Sequence, residues 1–465
     1  MPAKVNNRPR LLIAGAHSGV GKSSITLALV AALRRRGLKV QTFKVGPDYL
    51  DPGHLAQVSG RPCYNLDGWM TDKEYVRQLF YTVAADADIS LIEGVMGLFD
   101  GSSSDSLQGS SGEIAAWLQV PVALVVNTHG MARSIAALVK GYNTFEPTVK
   151  LAGVLANRCG SPSHVTLLET ALKSAGQPPL LGAIRRDSLP ALASRHLGLI
   201  SAQEQLLDGE LITRLADAAE NQMNLDLLLQ QAGQAPSLSA PVENFTPGIQ
   251  RDLRLAVAYD EAFQFYYADL FAALKHQGCA PVFFSPLKDK ALPENIDGLY
   301  LGGGYPEVHA RQLADNGMMI QAVGEFCRSG KPVYAECGGL IYLAQGVEQD
   351  AAKIPLTGIL PVWARMLEKR KALGYVEVTL QDDSLFGGRG DVFRGHEFHY
   401  SELVGDPVGQ DGWRAVYQLK QNRSGNCVAE GYQKGNVLAS YAHLHLASRP
   451  EAVEYFLAKM MNPSP

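Results

Sequence analysis

RLLIAGAHSGVGKSSITLALVAALRRRGLKVQTFKV, residues 10–45, is the stretch whose reading decides the fold. RLLIAG, residues 10–15, is a short apolar run of the kind found in a fully buried strand. Residues 21–36 are helix-forming and stop at Gly37. Arg34, Arg35 and Arg36 close that helix, where cations complement its dipole. Residues 39–45 read as a second strand. Between strand and helix lie Ala16, His17, Ser18, Gly19, Val20, Gly21, Lys22 and Ser23, which satisfy the pattern [A/G]-x4-G-K-[S/T] in the strand–loop–helix setting that gives it meaning. Backbone N–H groups of such a loop surround phosphate oxygens. Lys22 is expected to reach the β- and γ-phosphates, and the Ser23 hydroxyl to ligate Mg²⁺.

The same grammar continues outward. DISLIEGV (88–95), VPVALVVN (120–127) and LAGVLAN (151–157) are further buried strands, and 131–142 reads as a helix. Strands alternating with helices predict a doubly wound α/β domain, whose ligands sit beyond the carboxyl ends of the strands. Carboxylates cluster at those ends. Asp48 and Asp51 follow the second strand in a Pro-broken loop, Glu93 ends the strand 88–95, and Asp100 follows it. Asp48, Asp51 and Glu93 are expected within reach of solvent and ligand, with Asp48 and Glu93 as Mg²⁺ ligands and Asp48 and Asp51 serving the chemistry. Residues 203–231 read as one long polar helix. The Pro-, Ser- and Gly-containing stretch after it marks a linker, giving domains 1–235 and 253–465 joined by 236–252.

Past the linker the chemistry changes. KPVYAECGGLIYLA (331–344) is a strand, a sharp turn at Cys337 and a helix. Small residues after the cysteine permit a tight elbow, and the turn's N–H groups and helix end favour a thiolate. Gly303 and Gly304 end another strand and, with Gly338, are candidates for an oxyanion hole. His443, in NVLASYAHLHL (436–446), is the candidate base. Many amidotransferases with such an elbow carry His-Pro-Glu, the Glu orienting the His. Here His445 stands at the Glu position, so Cys337 and His443 act as a dyad or another residue steadies His443. A phosphate loop and a cysteine–histidine pair on one chain are what a glutamine-dependent amide ligase requires.

Composition narrows the alternatives. The chain has 465 residues, 46% apolar and 19% charged, with a net charge of −4. That fits a multidomain globular enzyme and gives no support to nucleic-acid binding; a small-molecule substrate and a monomer or homodimer are expected. No apolar run is long enough to span a membrane, and MPAKVNNRPR lacks a secretory core. Six scattered cysteines without a CxxC pair point to a reducing cytoplasm.

AHSGVGKSS (16–24), FKVGPDYLDPGH (43–54), IEGVMGLFDG (92–101), GMARS (130–134), RHLGL (195–199), AYDEAFQFYY (258–267), FFSPLKD (283–289), LYLGGGYPE (299–307), YAECGGL (334–340), RGHEFHYS (394–401) and SYAHLHL (440–446) together resemble the cobyrinic acid a,c-diamide synthase family of corrinoid biosynthesis. The resemblance implies a dethiobiotin-synthetase-like P-loop domain joined to a class I glutamine amidotransferase domain. It implies ATP, Mg²⁺ and glutamine, and a corrinoid substrate whose a and c acetates become carboxamides. Asp48, Leu50, Asp51, Glu93 and Asp100 fall in the family's phosphate and substrate-activating segments, Cys337 on its nucleophile and His443 on its base. One departure is Asn127, where the family usually has Asp before GMARS. Hydrogenobyrinic acid and nickel sirohydrochlorin remain alternative substrates. A partitioning-type ATPase would account for residues 10–160 but not for Cys337 and His443. The strand around 394–400 is either a contact for the macrocycle or domain interface, or a half-buried strand with satisfied histidines.

Overall fold

A computed structural model describes residues 8–190, 194–195, 198–199, 202–203, 207–239, 251–349 and 352–462. The chain divides into two compact units, Met1–Asn244 and Phe245–Pro465. Most of the stretch 236–252, read as a linker, lies outside the described residues, as do residues 196 and 197 of RHLGL.

In the first unit the strands are β1 (Arg10–Gly15), β2 (Val40–Val45), β3 (Tyr64–Leu66), β4 (Ile89–Gly97), β5 (Val122–Asn127), β6 (Leu151–Cys159) and β7 (Leu180–Arg185). They form one sheet in the order β3-β2-β4-β1-β5-β6-β7, with every pairing parallel. Apolar clusters cover the sheet on both sides, which explains why its strands read as unbroken hydrophobic runs. From β1 the chain goes to β2 on one side and later to β5 on the other. The end of β1 is therefore the crevice where an open parallel sheet takes its ligand.

The stretch expected as one helix over 203–231 is instead two, Gly209–Gln222 and Leu225–Gly233. Residues 204–206 lie outside the described residues. At the break, Met223 bridges to Gly182, and the Asn224 N–H donates to the Leu181 carbonyl at 2.8 Å. The Asn224 side chain caps the second helix through the N–H of Leu227 at 3.0 Å. Leu215, Ala216, Ala219, Leu225 and Leu228 enter the core, so the pair covers the sheet with only its outer side polar.

The second unit is built on a ten-stranded sheet. Cys279–Phe284, Leu253–Ala258, Gly298–Leu301, Val333–Glu336 and Val437–Ser440 run parallel in that order. Antiparallel strands continue it through Ala372–Leu380 and Val392–His399 to His443–Leu444. Among the described residues no helix is long and apolar enough to cross a membrane.

Candidate active site

The phosphate loop starts where β1 ends. The Ala16 N–H donates to the Val125 carbonyl at 2.9 Å, and Asn157 Nδ2 to the Val20 carbonyl at 2.8 Å. These two bonds hold the loop's ends while His17, Ser18 and Gly19 stay exposed. Gly19 and Gly21 have φ of 75° and 101°. A Cβ on Gly21 would run into the Asn157 side chain, so only glycine fits there. Lys22 is buried, and its Nζ donates to the Met96 carbonyl at 2.6 Å. Burial first, and then the nearby Lys44 charge, lowers its pKa.

Behind the loop lies a compact polar cluster. Ser23 Oγ donates to Glu93 Oε1 at 2.7 Å and to Asp51 Oδ2 at 3.2 Å. Lys44, fully enclosed at the end of β2, places its Nζ 2.5 Å from Asp51, 2.7 Å from Glu93 and 3.6 Å from Asp48. Asp48 Oδ1 accepts from the N–H groups of Leu50 (2.8 Å) and Asp51 (3.2 Å), which starts the helix Leu50–Ser59. Asp100 Oδ2 accepts from the Gly97 N–H at 3.0 Å. The Leu98 N–H donates to the Gly15 carbonyl at 2.8 Å, tying this turn to the end of β1.

Of the three acids expected within reach of solvent, Glu93 is not: it is 0% exposed, whereas the side chains of Asp48 and Asp51 are 30% and 14% exposed. Burial pushes the Glu93 carboxyl up to about 8 even beside the Lys44 ammonium. Burial also pushes Asp51 upward, but Lys44 outweighs it and holds Asp51 well below the carboxylate range. Asp48 rises to about 6, from burial and then from the Asp51 charge. Glu93→Gln is therefore expected to cost stability as well as turnover. Above about pH 8, where the carboxyl is ionised, it strips a charge that offsets buried Lys44, and losing one partner of a buried ion cluster costs about 3–5 kcal/mol. Urea unfolding above that pH checks this; an unchanged midpoint there would show that Lys44 does not depend on Glu93.

The donors suit a hard cation. Ser23, Asp48, Asp51 and Glu93 offer only oxygen, and Glu93 Oε2 is buried without a hydrogen-bond partner among the described residues. Mg²⁺ typically takes one or two carboxylates and completes its shell with phosphates and water. Among the described residues no group of three His, Cys, Asp or Glu would hold a metal by itself. Lys44 sits among these acids as a built-in countercharge. Asn127, by contrast, spends its Oδ1 on the N–H of His129 at 3.1 Å, closing a local turn.

In the second unit Val333–Glu336 pairs with Val437–Ser440, Glu336 opposite Ser440. Cys337 and His443 thus leave adjacent strands at the same edge. Cys337 has φ 46° and ψ −94°, a strained conformation for a non-glycine residue, and its N–H donates to the Ser440 carbonyl at 2.7 Å. The helix Gly338–Leu343 follows at once. A Cβ on Gly338 would sit 3.0 Å from the Gly304 nitrogen and 2.9 Å from Pro306, so the elbow closes on residues 304–306 only with glycine. A Cβ on Gly303 would lie 2.5 Å from His443 Cε1. Gly303→Ala should therefore displace the imidazole. A loss of about a hundredfold in glutamine hydrolysis is expected, the usual effect of moving a reacting group by about 1 Å. Wild-type hydrolysis in this variant would place the working His443 away from Gly303.

The resting pair is neutral. Burial, joined by the Glu307 and Glu336 charges, pushes the Cys337 thiol upward, outweighing any help from its short helix. Burial lowers His443 to about 3. The His443 ring stacks on His396 at 4.9 Å, and Tyr267 Oη lies 3.2 Å from His396 Nδ1. The histidines of Val392–His399 are buried and partnered, His399 Nδ1 lying 2.7 Å from the Ser401 carbonyl. His445 turns to Asp269, Nε2 to Oδ2 3.5 Å.

Sequence reasoning assigned no role to Lys44 or Glu336, and offered His396 only as one of the histidines of the strand around 394–400. The only cue for Lys44 was a lysine inside the otherwise strand-like TFKV, followed by two aspartates.

Residues 11–200 match the model of the CobQ/CobB/MinD/ParA nucleotide binding domain, and residues 254–451 that of the CobB/CobQ-like glutamine amidotransferase domain. The chain is 53% identical over 450 residues to a cobyrinate a,c-diamide synthase of Syntrophotalea carbinolica, spanning 97% of this chain and 98% of that protein. It is 44% identical over 453 residues to one of Leptospira interrogans, again 97% and 98% of the two chains. A third, from Synechococcus sp., is 42% identical over 451 residues, covering 96% of this chain and 97% of the other.

Proposed function

This chain belongs to the cobyrinate a,c-diamide synthase family, a family of carbon–nitrogen ligases with glutamine as amido-nitrogen donor, and we propose that it uses ATP to amidate the a and c acetates of cobyrinic acid. The observation that carries the proposal is the presence on one chain of the Lys22–Ser23 phosphate loop with its acidic cluster and of the strained Cys337 elbow, whose strand pairs with the strand Val437–Ser440 that leads to His443.

A carboxylate is a poor electrophile. Transfer of the γ-phosphoryl of ATP to its oxygen releases ADP and leaves an acyl phosphate with a good leaving group. Lys22 and the loop N–H groups hold the phosphate oxygens, and Lys44 keeps Asp51 and Glu93 in place beside Ser23. Mg²⁺ held by Ser23, Asp48 and Glu93 would neutralise charge on the transferring group. In the second unit Cys337 Sγ gives its proton to His443 and attacks the glutamine side-chain carbonyl. Gly304 and Gly338 are the backbone donors for the oxyanion, and Gly303 leaves room for the imidazole. His443 returns the proton to the leaving ammonia, and water then hydrolyses the glutamyl thioester. Ammonia displaces phosphate from the acyl phosphate, giving the amide. Leu50 and Asp100 border the substrate acid.

The substrate is tested by offering cobyrinic acid, hydrogenobyrinic acid and nickel sirohydrochlorin separately, with ATP and glutamine, and weighing the products. Cobyrinic acid should pass through a transient monoamide to a diamide and stop. If it is inert while nickel sirohydrochlorin is diamidated, the substrate assignment is wrong and the two-unit chemistry survives.

A further inference from the structure

We propose that Glu336 is the positioning residue for His443, supplying from the residue before the nucleophile the carboxylate that orients the imidazole. The inference rests on the reading of Cys337 and His443 as the glutamine-hydrolysing pair.

Glu336 ends the strand Val333–Glu336 and is 2% exposed. Its Oε2 lies 3.9 Å from His443 Nδ1. Three donors hold the carboxylate: Tyr300 Oη to Oε2 at 2.5 Å, Tyr334 Oη to Oε1 at 2.6 Å and the Leu444 N–H to Oε1 at 3.1 Å. Leu444 follows His443 in sequence, so one carboxylate is bonded to the histidine's own strand and faces its ring. A buried acid with this many hydrogen bonds is held in one orientation.

The other acids nearby are engaged differently. Asp269 pairs with His445, the residue standing where an orienting Glu was sought. Glu430 accepts from Ser440 Oγ at 2.6 Å and from the Tyr441 N–H at 2.7 Å, and Glu397 lies 3.8 Å from His399. The imidazole itself is confined by the His396 stack and the missing side chain of Gly303. The 3.9 Å separation exceeds a hydrogen bond, and such contacts commonly tighten only once substrate is bound. With its proton on Nδ1 facing Glu336, His443 keeps Nε2 as the acceptor for the Cys337 proton. The carboxylate then stabilises the imidazolium formed when that proton arrives. Burial pushes the Glu336 carboxyl up to about 7, the three hydrogen bonds opposing it.

The test compares Glu336→Gln with wild type in the full-length protein. Glutamine hydrolysis should lose about a hundredfold in kcat with KM nearly unchanged. Alkylation of Cys337 by iodoacetamide should slow in step, read by peptide mass because Cys427 is exposed. In a His443→Ala background the same substitution should not slow alkylation, since nothing remains to be positioned and loss of the Glu336 charge favours the thiolate. An equal slowing in that background, or wild-type kcat in the single variant, overturns the proposal. Should Glu336→Gln not fold, ¹⁵N spectra of histidine-labelled wild-type protein decide: the Nδ1–H tautomer of His443 is expected, and Nε2–H overturns it. Cys337→Ala separates the levels of inference. If it retains glutamine-driven amidation the underlying reading fails; if it loses it while Glu336→Gln is wild type, only the positioning role fails.

Discussion

Cys337→Ala is expected to lower glutamine-driven amidation at least roughly a thousandfold while amidation from added ammonium continues. In the proposed mechanism the Cys337 sulfur becomes acylated, so no neighbour can replace it. The substitution removes only a sulfur from a buried elbow whose geometry is set by the Ser440 carbonyl and the close approach of Gly338 to residues 304–306. The fold should therefore stand. Ammonia should bypass this half of the chemistry, because the proposed acyl phosphate would accept it from any source. Amidation rates with glutamine and with ammonium chloride, alongside a thermal melt, make the comparison. Loss of both activities in a folded variant would contradict the division of labour.

Lys22→Ala should do the reverse. Lys22 is proposed as the loop's cation for the phosphates, and removing one such stabilising contact typically costs about 10²–10³ in turnover. ATP-dependent amidation should fall by that factor with either nitrogen source. Alkylation of Cys337 should be untouched, because the two residues belong to different units. Among the described residues Lys22 bonds only a backbone carbonyl, at Met96, so little stability should be lost. Unchanged ATP-dependent turnover would show that this loop is not the working nucleotide site.

The fold was legible because it is written in short-range signals. Buried parallel strands give apolar runs, and the glycines at 19 and 21 announce left-handed backbone between strand and helix. The two-helix segment after 208 was misread because its polar surface gives a continuous helical pattern. What breaks it is a tertiary bridge from Met223 to Gly182, with Asn224 as a local cap that the pattern overrode. The candidate site was legible wherever a motif names the residue, as at Lys22, Ser23, Cys337 and His443. It was opaque where meaning comes from burial. Lys44, Asp51 and Glu93 are a charge cluster only after β2 and β4 are paired, with Lys44 opposite Glu93. Glu336 reads as a strand residue until the pairing with Val437–Ser440 brings the turn to His443 beside it. Such neighbours are far apart in sequence, and a single chain carries no mark of them.

The central claim is that one chain takes nitrogen from glutamine and places it, at the cost of ATP, on a corrin carboxylate. The most direct measurement supplies amide-¹⁵N glutamine, ATP and cobyrinic acid, then follows product mass together with ADP, phosphate and glutamate. The account predicts ¹⁵N in both new amides, with one ATP split and one glutamine consumed for each. ATP splitting with glutamine untouched, or glutamate formed with no nitrogen reaching the corrin, would contradict it.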